Sequence, residues 1–115
     1  MHHTIAVILE DWVEKINEDE FYLSTAFDKL IQEKTSFEAF DFIPYMLDAI
    51  LETNDDFVAS QLIFYMNCLY GKADTTEIHP VLSQKQEKLD QHIARLTGNY
   101  AIREHREFKR DLRLT

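Results

Sequence analysis

Residues 36–71 read SFEAFDFIPYMLDAILETNDDFVASQLIFYMNCLYG and contain three of the five Tyr and the only Cys. Apolar residues recur in this stretch at spacings of three and four, which is the period of one helix face. The polar triplet Asn54-Asp55-Asp56 divides it into two such segments. The pattern therefore predicts two packed helices at the core of an all-α protein.

The composition favours one helical domain over residues 1–115. The chain is 45% hydrophobic, which is enough apolar material for a single packed core. It has only two Gly and two Pro, whereas β-sandwiches and barrels usually need more turn residues. A single Cys excludes an internal disulfide framework and a Cys-based zinc site.

Two helices are predicted before the central stretch. The first covers residues 4–17, with Ile5, Leu9 and Trp12 on its apolar face. Asp19 is the expected N-cap of the second, which runs to about residue 33. Three carboxylates repeat every four residues on the outer face of the first helix: Glu10, Glu14 and Glu18. This row predicts either a solvated face or a surface for a basic partner.

Within the central stretch, Ser36 is the expected N-cap and Gly71 the expected residue after the last turn. Pro44 predicts a break, because proline inside a helix costs about 3 kcal/mol and suits the first turn of a new helix. A single kinked helix is the alternative. Asn54, Asp55 and Asp56 are expected to end one helix and cap the next.

After the polar connection over residues 72–79, Pro80 predicts the start of a further helix, and Asn99 is the expected cap of the last one. The last helix is rich in both charges and is expected to pack against the acidic N-terminal body. The chain thus predicts five to six antiparallel helices, in a compact bundle or a short solenoid.

Charge is distributed unevenly along the chain. Residues 1–84 hold four basic and 16 acidic residues, a net charge of −12, whereas residues 85–115 have a net charge of +3. An acidic body repels nucleic-acid phosphates and anionic membrane surfaces. We therefore expect no nucleic-acid or membrane partner, and a basic protein partner instead. Solubility alone is the simpler explanation.

The motifs of known catalytic and cofactor chemistry do not appear in the sequence. Metal binding by a helix needs ligands on one face, and His92 has no acid or His four residues away. Cys68 lies in an apolar helix without a nearby base, which predicts a structural thiol. Two Gly are too few for a Gly-rich phosphate loop. We expect a protein that is not an enzyme and has no cofactor or metal.

The remaining candidate is a protein-binding surface on the outer side of the central helices. Tyrosine is a frequent interface anchor, and carboxylates around it suit a Lys- or Arg-rich partner. The expected residues are Tyr45, Asp48, Glu52, Asp55, Asp56 and Asp41, with Glu38 extending the row and with Glu10 and Glu14 on the first helix. Asp55 and Asp56 have the alternative role of helix caps.

The start of the chain does not have the pattern of a signal peptide. The apolar run at residues 5–9 lacks a basic segment before it, so no signal peptide is expected. No apolar run approaches the ~20 residues that span a bilayer. We expect a cytosolic protein and assign no role to His2 and His3, which are either native or left from a tag.

A small acidic helical protein with Trp12 near its start and ILETNDDFVASQLIFYMNCLYGKADTTEIHP over residues 50–80 resembles bacterial immunity proteins. These proteins belong to contact-dependent growth inhibition and related polymorphic toxin systems. The resemblance covers most of the chain and concerns its overall type, so it carries over no binding residue. It implies a cytosolic inhibitor that binds a cognate toxin domain, often a basic nuclease.

Two further hypotheses remain open. The chain could be an acidic helical adaptor or regulator, including a nucleic-acid mimic that blocks a DNA-binding protein. It could also be a small enzyme subunit whose active site is completed by another chain. A toxin-encoding reading frame immediately upstream would distinguish the immunity hypothesis from the adaptor or regulator hypothesis.

Overall fold

The computed structural model describes residues 1–114, and within them it contains seven helices and no strand. The helices are α1 (His3–Leu9), α2 (Trp12–Glu18), α3 (Tyr22–Gln32), α4 (Ser36–Glu52), α5 (Asp56–Ala73), α6 (Pro80–Arg95) and α7 (Tyr100–Asp111). The all-α prediction is confirmed. The number of helices exceeds the predicted five to six, because the first predicted helix is divided.

Helix α5 lies at the centre of the fold. It packs most extensively against α4 and α7, and it also contacts α3. Its buried side chains, which include Leu62, Ile63 and Met66, occupy several sides of the helix. The Cα radius of gyration is 13.4 Å, close to the ~13 Å of a compact domain of this size.

The first predicted helix breaks at Glu10 and Asp11. Glu10 has an extended backbone with ψ 125°, and Asp11 lies in the left-handed region with φ 52°. The break gives α1 and α2 different orientations, so that α1 buries Ile5 and Ile8 while Trp12 of α2 packs against Phe57 of α5. Neither Gly nor Pro marks this position, so residues 4–17 look continuous in the sequence.

The break predicted at Pro44 does not occur, and α4 is one helix from Ser36 to Glu52. Ile43, Met46 and Leu47, on both sides of Pro44, are fully buried. Burial of side chains of this size stabilises each position by about 1.5–3 kcal/mol. That contribution outweighs the ~3 kcal/mol cost of an internal proline.

Several helix ends differ from the predicted positions. Thr35, rather than Ser36, caps α4 in a capping box with Glu38. Helix α3 begins at Tyr22, and Asp19 accepts a hydrogen bond from the backbone N–H of Phe21 just before it.

At the other helix ends, α5 continues past Gly71 to Ala73 and ends at Asp74, which has φ 57°. Pro80 begins α6, as predicted. Gly71 therefore lies inside a helix, where its conformational freedom is not used.

The last helix packs against the acidic N-terminal body of residues 1–84, as was expected, because α5 belongs to that body. It packs mainly against α5 and also contacts α6. Ala101 and Phe108 are its most deeply buried apolar side chains. No helix within residues 1–114 has both the length and the apolar character needed to cross a membrane.

Candidate functional site

The outer side of α4 presents three carboxylates and one aromatic ring. Asp41, Tyr45, Asp48 and Glu52 follow one another at spacings of four, three and four residues, which aligns them along one side of the helix. Asp41 and Glu52 are exposed, Asp48 is partly exposed, and Tyr45 is 47% exposed. We call these four residues the α4 face.

Two carboxylates of the α4 face form ion pairs within the chain. Lys85 of α6 lies 3.1 Å from the Asp48 carboxylate, and the α-amino group of Met1 lies 2.9 Å from that of Glu52. Both pairs are at the surface, where such a pair contributes about 0–1 kcal/mol. These two pairs partly neutralise the negative charge of the α4 face, but each pair is weak.

The ring of Tyr45 is covered on one side by the N-terminal segment. The His2 ring contacts both Tyr45 and Phe42 edge-on, with centroid distances of 4.8 and 4.9 Å. His2 also accepts a hydrogen bond from the backbone N–H of Thr4 and so caps α1. His2, to which the sequence assigned no role, therefore forms part of the surface around Tyr45.

Asp55 and Asp56 both cap helices, but different ones. The Asp55 carboxylate accepts a hydrogen bond from the N–H of Val58 and caps α5. The Asp56 carboxylate accepts hydrogen bonds from the N–H groups of Tyr100 and Ala101 at 3.0 and 3.2 Å. Asp56 thus supplies the side-chain cap of α7 that was expected from Asn99, whose own side chain makes no capping bond.

Glu10 and Glu14 do not lie on one continuous helix, because the helix is interrupted between α1 and α2. Glu10 lines a shallow groove of about 430 Å³ together with Met1 and Val7. Since the Met1 amino group reaches Glu52, this groove adjoins the C-terminal end of the α4 face. Glu14 is exposed in the first turn of α2, and no hydrogen bond or ion pair within residues 1–114 connects it to the α4 face.

A row of aromatic rings lies where the N-termini of three helices meet. Trp12 stacks on Phe57 at a centroid distance of 5.5 Å, and Phe57 meets Tyr100 edge-on at 6.1 Å. The three residues come from the first turns of α2, α5 and α7. Tyr100 is 61% exposed. We call these three residues the aromatic row.

The sequence contains a pattern that marks the three residues of the aromatic row. Each ring directly follows an Asp or Asn: Asp11-Trp12, Asp56-Phe57 and Asn99-Tyr100. Asp and Asn are favoured at helix starts, so the three pairs mark three helix N-termini with an aromatic residue in the first turn. That the three starts meet in space depends on tertiary packing and does not follow from the pattern.

Glu38 lies in the first turn of α4, and a capping hydrogen bond from a backbone N–H to its carboxylate lowers its pKa. The other groups with shifted pKa values lie on α5 and α7. Burial, with the negative charges of Asp28 and Glu104, raises the pKa of the Cys68 thiol, which lowers the thiolate fraction at neutral pH. Burial also raises the pKa of Tyr65 to about 12. No group of three or more metal-binding side chains occurs in residues 1–114. The α4 face presents negative charge and one half-exposed aromatic ring.

Comparisons of the chain with protein-family models, curated proteins and solved structures give no match.

Proposed function

We propose that this protein is an immunity protein that binds and neutralises a cognate toxin domain, of the basic nuclease class, through the α4 face. The observation that carries the proposal is the alignment of Asp41, Asp48 and Glu52 around a half-exposed Tyr45. The net charge of −9 for the whole chain supports it, because it steers a basic partner toward the protein.

The α4 face offers the two elements that strong protein interfaces combine. Tyr45 is an aromatic anchor, and the carboxylates beside it can pair with Lys or Arg side chains of the toxin. Tyr100, at the exposed end of the aromatic row, adds a second ring on which an Arg or Lys can stack. Asp55 and Asp56 contribute negative charge but act mainly by holding the helices in place.

Binding would exchange two internal ion pairs for pairs with the toxin. Lys85 and the Met1 amino group occupy Asp48 and Glu52 in the free protein. Since each surface pair contributes only about 0–1 kcal/mol, a toxin Arg that forms two parallel hydrogen bonds can replace either one. The proposed interface is thus available without a change of fold.

The proposal requires no catalysis and no cofactor from this chain. An inhibitor of an intracellular nuclease must be present where the nuclease acts, so the proposal includes a cytosolic location. Inhibition follows if the acidic face covers the basic surface that holds the nuclease's nucleic-acid substrate.

Co-expression with the toxin domain encoded next to this protein tests the proposal. We expect the protein to restore the growth of cells that produce the toxin, and to co-purify with it in a stoichiometric complex. Failure of both would reject the immunity function. Binding to a host DNA-binding protein in place of the toxin would support the nucleic-acid-mimic hypothesis instead.

The location of the interface can be followed separately. Trp12 is the only Trp, so its fluorescence reports on the aromatic row. We expect the emission of Trp12 to change when the toxin binds, and Tyr100→Ala to weaken the complex. If neither effect is observed, the aromatic row lies outside the interface, and the proposed immunity function is not contradicted.

A further inference from the structure

Helix α7 carries a basic side that is only partly neutralised, because Arg103 and Arg106 form no ion pair within residues 1–114. Arg103, Arg106 and Arg110 recur at spacings of three and four and are exposed. Within residues 1–114, the ion pairs of the Lys and Arg side chains of α7 use only Lys109, with Asp90, and Arg110, with Glu107. Helix α7 packs against α5 and α6 through its apolar side, so these arginines face solvent.

A groove runs along this basic side. It has a volume of about 490 Å³ and is lined by Ile102, His105, Arg106, Lys109, Arg110 and Leu114. A smaller hollow of about 230 Å³ shares Ile102, His105 and Lys109 with it and continues to Ile93 and Ala94 of α6. Ile102 is 44% exposed although its helix is otherwise strongly charged. We call the six lining residues of the larger hollow the α7 groove.

Asp90, which lines the smaller hollow beside the groove, already has partners for its negative charge. The Asp90 carboxylate lies 3.4 Å from the Lys109 amino group and 3.3 Å from Nε2 of His105. Asp90 therefore holds these two side chains in position and leaves Arg106 at the rim. An apolar floor with a cationic rim results, on a protein whose net charge is −9.

We propose that the α7 groove binds an acidic amphipathic segment of a partner protein. The apolar side of such a segment would cover Ile102 and Leu114, and its carboxylates would pair with Arg106 and Arg110. A nucleic acid is disfavoured, because the long-range field of the acidic body repels a continuous row of phosphates. The groove thus recognises charge of the opposite sign to that recognised by the α4 face.

Binding of defined probes to the intact protein tests this proposal. The probes are a fluorescent helical peptide with Leu on one side and Glu on the other, the same peptide with Gln in place of Glu, and a single-stranded thymidine oligonucleotide. Fluorescence anisotropy at low ionic strength gives each affinity. We expect the Leu/Glu peptide to bind, and the Leu/Gln peptide to bind about tenfold more weakly, a loss of about 1.4 kcal/mol.

Two double variants with the same change of net charge distinguish binding in the groove from a general effect of net charge on affinity. Arg106→Glu with Arg110→Glu should weaken Leu/Glu peptide binding at least about tenfold. Lys29→Glu with Lys72→Glu alters two exposed lysines on α3 and α5 and should change the affinity less than about twofold. Circular dichroism verifies that both variants fold.

Four results would overturn the proposal. The first is that the Leu/Glu peptide does not bind at millimolar concentration, and the second is that the two double variants bind it equally well. The third is that the oligonucleotide binds as tightly as the peptide and that the groove variant loses this binding. The fourth is that the protein self-associates and that the groove variant abolishes the self-association. The third would assign the groove to nucleic acid, and the fourth to a second copy of the chain.

Discussion

The carboxylate of Asp56 accepts a hydrogen bond from the backbone N–H of Tyr100 at 3.0 Å, across 44 positions of sequence. This hydrogen bond joins the start of α5 to the start of α7. The Ala101 N–H donates a second hydrogen bond to the same carboxylate. The contact also brings Phe57 and Tyr100 together in the aromatic row. One side chain thus accepts hydrogen bonds from the first turn of α7 and fixes the geometry of the aromatic row.

Loss of this cap should destabilise the protein. Asp56→Ala removes the acceptor of two N–H groups, one of which belongs to a buried residue, and we expect the free energy of unfolding to fall by about 2 kcal/mol. Urea unfolding followed by circular dichroism measures the change. Asp41→Ala, at an exposed position on α4, is the control and should change stability by less than about 0.5 kcal/mol. Equal effects would mean that Asp56 does not cap α7.

The two glycines should respond to alanine in opposite ways. Gly98 has φ 113°, and a Cβ there would lie 2.6 Å from an Asp56 carboxylate oxygen, so Gly98→Ala should destabilise by more than about 1 kcal/mol. Gly71 lies inside α5 with nothing within 4 Å of the added Cβ. Gly71→Ala should therefore stabilise by about 0.5–1 kcal/mol. Thermal unfolding of the pair tests both signs, and a stabilising Gly98→Ala would contradict the described turn.

Replacement of the internal proline should stabilise α4. Pro44→Ala restores a backbone N–H in the middle of an otherwise regular helix and removes a ring that crowds the preceding turn. We expect a gain of about 1–3 kcal/mol in the free energy of unfolding, measured in urea. A clear loss of stability would indicate that α4 needs the proline for its shape.

Stability should depend on the titration of His105. Burial lowers the pKa of His105 below its ordinary value of 6.5, with Asp90 opposing and Lys109 reinforcing this effect. The unfolded state therefore binds the proton first, so the folded state loses stability as the pH falls through 6.5 toward the lowered pKa. Below the lowered pKa both states are protonated, and no further loss arises from this group.

The His105→Gln variant isolates that contribution. The difference in melting temperature between the variant and the original protein should change over this pH range, because only the original protein loses the contribution of His105. The same difference at every pH would show that His105 titrates alike in the folded and unfolded states.

The sequence predicts the parts of the fold that depend on local patterns. Apolar spacing predicts α4 and α5, and Pro80 predicts the start of α6. The break at Asp11 is not predicted, because it is favoured by the contact of Trp12 with Phe57, which lies 45 residues further along the chain. The uninterrupted α4 is not predicted either, since burial on both sides of Pro44 outweighs the local cost.

The candidate site can also be predicted from the sequence only where it depends on local spacing. The alignment of Asp41, Tyr45, Asp48 and Glu52 can be read from their spacing on one helix. The pairing of Asp48 with Lys85 and of Glu52 with the Met1 amino group depends on how distant segments meet. The residues expected to bind a partner stay predictions, and Asp55 and Asp56 also have structural roles.

The most direct test of the central claim is the dissociation constant of the complex with the adjacent toxin domain, measured by calorimetry for two charge-matched variants. Asp41→Lys with Glu52→Lys reverses two charges on the α4 face, whereas Asp28→Lys with Glu87→Lys reverses two exposed charges on α3 and α6. We expect the first variant to bind at least about a hundredfold more weakly and the second within about threefold of the original protein. Equal affinities for the two variants would contradict binding through the α4 face.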